Sequence, residues 1–259
     1  MGYKSISSKM NSLAKQILTE QNKEPSCVHK NLTLRSLVML KYINSDSEEI
    51  FMPMAKALIA FSKRPDRQGD YEKGPGRHYY CAVNTAMKKN NPINGYFRNG
   101  KGKCYKSARA MFEEDYTMAL TMYVAGFQQK SAEFLGRAIH MISDMCCIPH
   151  VTGMTYFSNA SDFHKSYENL AEAVYPELVP RQTVVELPDY FDKKYQLGES
   201  INRLALDTAK GIKDMSNDPV KAITAHLQRA ERVVTALLIR FMEDITSLEK
   251  DAHFITNNS

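Results

Sequence analysis

The chain has 259 residues, of which 43% are hydrophobic and 24% charged, and a formal net charge of +5. This composition suits one large, soluble, globular domain able to bury a sizeable core, and no Pro/Gly/Ser-rich linker divides it. A membrane-spanning helix is excluded, since no apolar run approaches the roughly 18 residues required, and the scattered basic residues allow an anionic substrate without demanding nucleic acid.

Residues 1–26 are expected to form a polar leader that is disordered, loosely helical or removed. Its basic flavour comes without the apolar core of a signal peptide, and MGYKSIS fails the myristoylation pattern because its sixth residue is Ile6. After NKEPS, LTLRSLVMLKYI at 32–43 predicts a helix with Leu34, Leu37, Val38 and Leu40 on its buried side. EIFMPMAKALIAFSK at 49–63 predicts a second helix, with Pro53 in its first turn. The Gly-, Pro- and Asp-rich segment 64–80 must be loop, and it lodges Asp66, Asp70 and His78. Another turn-rich loop covers 90–103.

A long helix is expected over 104–129, buried at Ala108, Met111, Phe112, Ala119 and Tyr123. In AEFLGRAIHMISDM the apolar residues Phe134, Leu135, Ala138, Ile139 and Ile142 recur at helical spacing, so His140 and Asp144 share one face. That helix must end near Pro149, which releases His150. FHKSYENLAEAV repeats the device with His164 and Glu168 one turn apart. Pro176, Pro180 and Pro188 imply an irregular crossover, and helices over 197–215 and 219–249 finish the chain. The last is amphipathic through Ile223, Leu227, Val233, Leu237 and Phe241. No run alternates with period two for long enough to form a strand, so the expectation is a single all-α, multi-helix domain over 27–259.

An imidazole and a carboxylate one turn apart can both reach one zinc ion, held rigid by the helix. One such pair is also an ordinary surface pair; two pairs with a histidine between them are a far stronger signal. The hard donors are Asp66, His78, His140, Asp144, His150, His164 and Glu168, with His29 upstream. A zinc ion takes about four ligands, so this inventory implies more than one metal, the usual apparatus of phosphoester hydrolysis. A helical di-iron site would want Glu-x-x-His on paired helices, and that element does not occur. The cysteines Cys27, Cys81, Cys104, Cys146 and Cys147 are odd in number and show no CxxC pair, which argues against a disulfide framework. Cys146 and Cys147 are expected to be buried thiols or a soft outer shell, and His226 and His253 to be non-ligands.

FLGRAIHMISDM with the following Pro149-His150, and FHKSYENLAE, resemble the two metal-binding segments of the bacterial zinc-dependent phospholipases C of the alpha-toxin-like type. The intervals from His140 to Asp144, His150, His164 and Glu168 agree with that family, and His78-Tyr79-Tyr80 and Pro65-Asp66 resemble two further motifs. The likeness covers roughly 27–175 and implies the family's all-α fold and a site of two to three Zn2+ ions. Asp66, His78, His140 and Asp144 would surround one zinc, with Asp144 bridging to a second that His29 also binds. His150, His164 and Glu168 would hold the third, with Asp66 as general base towards a zinc-activated water.

The family completes its second zinc with a mature N-terminal Trp, and this chain contains no Trp. Ser143 stands where the family has Gly before the Asp, Cys81 where it has Asp, and its choline-holding aromatic residues have no clear counterparts. The activity implied is phospholipase C: cleavage of a glycerophospholipid at a membrane surface to diacylglycerol and a phosphorylated headgroup. The alternatives are a zinc-dependent nuclease for single-stranded nucleic acid, whose relatives carry Asn-Leu-His rather than FHKSYENL, and a non-catalytic metal-binding relative. Family members are secreted, although no signal peptide is seen in this sequence. No stable nucleic-acid partner is expected.

Overall fold

A computed structural model describes residues 3–21, 27–67, 69–71, 77–80, 96–98, 104–154, 160–175 and 186–257. Residues 176–185 of the expected crossover, Cys81 and most of the loop 90–103 fall outside the described residues.

The fold is all-α: α1 (Tyr3–Gln21), α2 (Val28–Ile43), α3 (Ser47–Phe51), α4 (Ala55–Phe61), α5 (Ala108–Val124), α6 (Gln128–Met145), α7 (Ile148–Thr152), α8 (Ser161–Val174), α9 (Leu197–Lys210) and α10 (Pro219–Asn257). Among the described residues the extended structure is a ribbon in which β1 (Tyr96–Arg98) pairs antiparallel with β2 (Cys104–Lys106). The helix expected from residue 104 therefore starts later, at Ala108. Pro53 also proves to be a break rather than a first-turn residue, because the stretch 49–63 divides into α3 and α4 on either side of it.

Helix α6 is the centre of the packing. Every residue from Leu135 to Met145 on it is buried, between α5 on one side and α4 on the other. At Gly136 the helices α4 and α6 approach so closely that a Cβ would lie 2.8 Å from the Leu58 carbonyl oxygen and 2.9 Å from Phe61 Cβ. That contact brings the end of α4 beside His140, one turn further along α6.

Helix α10 runs beside α2, α8, α5 and α6, burying Ile223, Leu227, Val233, Leu237 and Phe241. Polar groups fix α2 against it. Glu231 receives Arg35 Nη1 at 3.4 Å and the Tyr175 hydroxyl at 2.8 Å, and its backbone carbonyl accepts from Ser36 Oγ at 3.0 Å. A buried carboxylate that receives groups from α2 and from the end of α8 helps to set the rotation of α2. That rotation differs from the pattern read in the sequence: Leu32, Met39 and Leu40 are buried, whereas Leu34 and Val38 are 48% and 43% exposed. α2 is apolar on two faces, so periodicity alone could not choose between them.

Of the alternatives for residues 1–26, the described part takes the helical one. α1 lies along α8 and buries Ile6, Met10 and Ala14 in the core. Among the described residues, no helix is long and apolar enough to cross a membrane.

Candidate metal centre

Six segments converge on one place: the start of α2 with His29, the 3-10 turn Arg64–Asp66, the segment 77–80 with His78, the end of α6 with His140 and Asp144, α7 with His150, and α8 with His164 and Glu168. All eight candidate ligands named from the sequence meet there. Their donor atoms form three groups: His29, Asp66 and His140; His78, His140 and Asp144; and His150, His164 and Glu168. The first two overlap at His140, so the four residues inferred to share one zinc are divided between neighbouring groups, with Asp66 nearest the His29 side.

Backbone carbonyls orient three of the imidazoles. Nδ1–H of His140 donates to Ser62 O at 2.8 Å, that of His150 to His78 O at 2.7 Å, and that of His164 to Met154 O at 2.7 Å. A carbonyl can only accept, so each neutral ring turns an unprotonated Nε2 inward. His150 Nε2 and His164 Nε2 stand 3.2 Å apart, and His164 Nε2 lies 2.9 Å from Glu168 Oε1. On the other side His140 Nε2 is 3.1 Å from His78 Nδ1, which is 2.9 Å from Asp144 Oδ2. Two nitrogens bound tetrahedrally to one zinc at 2.0–2.1 Å would be roughly 3.3 Å apart. Lone pairs crowded this closely repel one another unless a cation lies between them.

Asp144 joins the groups. Its Oδ1 is 3.6 Å from His29 Nε2, while Oδ2 faces His78, His140 at 3.3 Å and His150 at 3.7 Å. His29 Nε2 is also 3.7 Å from Asp66 Oδ2, yet His29 Nδ1 is buried with no hydrogen-bond partner among the described residues. That orphaned nitrogen gives His29 the least constrained ring of the set. The donors fit zinc in kind and spacing, with carboxylate and imidazole groups only; Cys27, Cys146 and Cys147 belong to none of the three groups.

The electrostatics show what the donors do as a cluster. Burial opposes charging of His140, but the Asp144 and Asp66 carboxylates raise its pKa to about 9. His29 is pulled down to about 4, first by burial and then by His140. Burial alone would raise Asp144, yet His150 and His140 hold it well below the usual carboxylate range, and the histidines beside Glu168 lower it likewise. Positive charge is thus favoured in the midst of the carboxylates, and protons and metal ions compete for the same atoms. Exposure is graded, from 0% for the His140 and His164 side chains to 39% for Glu168 and 53% for Asp66. The centre opens on the Asp66–Glu168 side.

Some residues take other roles. Asp70 accepts both guanidinium nitrogens of buried Arg137 at 2.9 Å and Arg64 Nε at 3.2 Å, which ties the 64–71 segment to α6. His226 Nδ1 pairs with the Tyr167 hydroxyl at 3.0 Å, away from the donor groups. The side chain of His253 lies outside the described residues. Cys146 is buried beside α10, its thiol pushed up to about 12 by burial. Tyr79 contributes more than its motif suggested: it stacks on His150 with ring centroids 5.0 Å apart and meets His164 edge-on at 5.8 Å. The orienting carbonyls of Ser62, His78 and Met154 had no signal in the sequence, because every residue carries the same carbonyl. Gly153 offers a partial one, since its φ of 74° ends α7 just before Met154.

No protein-family model matches the chain, and no curated protein matches it. Solved structures do. The alpha-toxin of Clostridium perfringens from the avian strain SWCP superposes with a TM-score of 0.68 at 15% identity, covering 86% of this chain and 64% of the toxin chain. The alpha toxin of Clostridium absonum gives a TM-score of 0.67 at 16% identity, covering 86% of this chain and 65% of that one. The chain therefore spans less than two thirds of either toxin's length. Within that span it has the all-α fold of the clostridial alpha-toxins.

Proposed function

We propose that this chain is a zinc-dependent hydrolase of phosphodiester bonds and, more narrowly, a phospholipase C acting on phospholipid at a membrane surface. The observation that carries the reading is the convergence of eight imidazole and carboxylate donors into three adjacent groups, with the Asp144 carboxylate facing His29 on one side and His78 and His140 on the other. The toxin fold and the FHKSYENL segment support a lipid over a nucleic-acid substrate.

In this reading His29, Asp66, His78, His140 and Asp144 hold two neighbouring ions, and His150, His164 and Glu168 hold a third. Bound there, zinc neutralises the phosphate charge that repels an incoming anion and brings the pKa of water towards about 7. The chain's own residues do the rest. Carbonyl bonds to Nδ1–H aim the Nε2 atoms of His140, His150 and His164 inward, so that in the neutral rings Nε2 is the nitrogen offered to a metal. Asp66, the most exposed of the carboxylates, accepts the proton of the attacking water and can pass it to solvent. The closed floor beneath, formed by buried His140, His164 and α6, keeps bulk water to one side.

The test is metal analysis of the purified protein, with parallel assays on mixed phospholipid vesicles and on single-stranded DNA. Two or three zinc ions per chain and EDTA-sensitive lipid cleavage are expected. Cleavage of DNA alone would move the function to the nuclease, and fewer than two ions with no activity on either substrate would leave a non-catalytic metal-binding protein. Asp144→Asn is expected to lower the activity by about 10- to 100-fold, the scale of disturbing metal-site partners; full activity in that variant would refute the joining role.

A further inference from the structure

Arg137 stands on α6 three residues before His140, about 4.5 Å along the axis, so the helix fixes one side chain relative to the other. Its two terminal nitrogens donate to the two carboxylate oxygens of Asp70 at 2.9 Å each, and both side chains are buried. The guanidinium also lies 4.3 Å from the centroid of the Tyr71 ring and 5.7 Å from that of Phe61, the last residue of α4. Asp70 in turn accepts from Arg64 Nε at 3.2 Å, and Arg64 opens the 3-10 turn that ends at Asp66. Two backbone bonds, from Arg67 N–H to Arg64 O at 3.0 Å and from Asp70 N–H to Arg67 O at 3.1 Å, tie that turn to Asp70. One buried carboxylate thus joins the helix of His140 to the turn of Asp66.

Asp66 is the most exposed of the eight donors and rides on a turn of three residues. Its oxygens stand 3.6 Å from His140 Nε2, 3.7 Å from His29 Nε2 and 3.9 Å from His78 Nδ1. To share an ion with those imidazoles, the carboxylate must be held to within about 0.5 Å of its working position by its supporting contacts. A two-pronged guanidinium–carboxylate pair fixes distance and angle together. Resting on the metal-binding reading of the centre, we propose that Arg137 is a positioning residue: through Asp70 it holds the turn of Asp66 against α6, at the separation from His140 that lets the two share one ion. His150, His164 and Glu168, on α7 and α8, lie outside this clamp.

The experiment measures the zinc affinity of the full chain by competition with a chromogenic chelator. Arg137→Met is expected to weaken at least one binding step by about 10- to 100-fold, the scale for groups that orient metal ligands; unchanged affinity would overturn the proposal. In an Asp66→Ala background the same substitution should add less than about twofold, because its effect runs through Asp66. A loss as large as in the wild-type background would show a general structural role and overturn the proposal too. Arg137→Lys keeps the charge without the paired geometry and should recover part of the affinity. It replaces Arg137→Met in both comparisons, with a smaller loss expected, should the latter fail to fold. Hydrogen exchange, which needs no metal, separates the clamp from the metal reading. In the Arg137 variant the amides of Arg67 and Asp70 should exchange faster while those of α8 stay unchanged, and no selective change there sinks the clamp whatever zinc does. Such loosening in a chain that binds no zinc upholds the clamp and sinks the metal reading instead.

Discussion

His140 and His226 are both largely withdrawn from water, yet their surroundings pull them in opposite directions. Carboxylates face His140 and favour its charged form, raising its pKa to about 9. His226 faces the Tyr167 hydroxyl, and burial followed by the Arg229 charge lowers its pKa to about 4. A histidine with a depressed folded pKa takes up its proton more readily when unfolded, at about 6.5. Its contribution to stability is therefore complete above the unfolded value and is lost as pH falls from about 6.5 towards 4. Between pH 7 and pH 5 wild type should lose about 2 kcal/mol more than His226→Asn, measured by urea unfolding. Equal losses would show that His226 titrates normally. In the sequence, too, the two differ: of this pair only His140 has an acid one turn away.

At the scale of elements, two contacts position the centre from a distance. Gly136 lets α4 lie against α6, and the Ser62 carbonyl at the end of α4 then reaches His140. Gly136→Ala must push α4 back by several tenths of an ångström. It should cost about 1–3 kcal/mol, as overpacking does, and should weaken zinc binding at the His140 groups, read by competition with a chromogenic chelator. Stability loss with unchanged zinc affinity would break the link from packing to ligand orientation. The second contact is α1 on α8. Met10 is fully buried there, so Met10→Ala should destabilise the chain by about 2–5 kcal/mol in chemical denaturation. A cost near zero would mean that α1 is not part of the folded core. A glycine inside a helix has many ordinary explanations, whereas the apolar residues Ile6, Met10, Leu13, Ala14, Ile17 and Leu18 of α1 recur at helical spacing, a signal that the polarity of the segment as a whole masks.

The whole molecule is organised so that segments far apart in sequence share one set of donors. His29 comes from α2 and Glu168 from α8, and between them lie the helices that form the core. Any ion bound at the centre joins these segments and binds only the folded state. Zinc at a thousandfold excess over its Kd should stabilise the chain by about 4 kcal/mol. For a domain of this size that corresponds to a Tm roughly 10 °C higher than in EDTA, read by calorimetry. A Tm unaffected by EDTA would argue that the donors hold no metal.

The sequence by itself determined the kind and spacing of the candidate donors. Helical periodicity placed His140 with Asp144 and His164 with Glu168 on common faces, and Pro149 separated His150 from the helix of His140. Those features are local, or depend only on residue type. The tertiary structure decided what depends on distance between elements: which face of α2 is buried, that Pro53 divides two helices, that α1 joins the core, and that Asp66 groups with His29 and His140 while His78 turns to Asp144. It also supplied the carbonyls that aim the imidazoles. Backbone carbonyls are the same at every residue and helix rotation is fixed by packing, so neither could be read from the order of side chains alone.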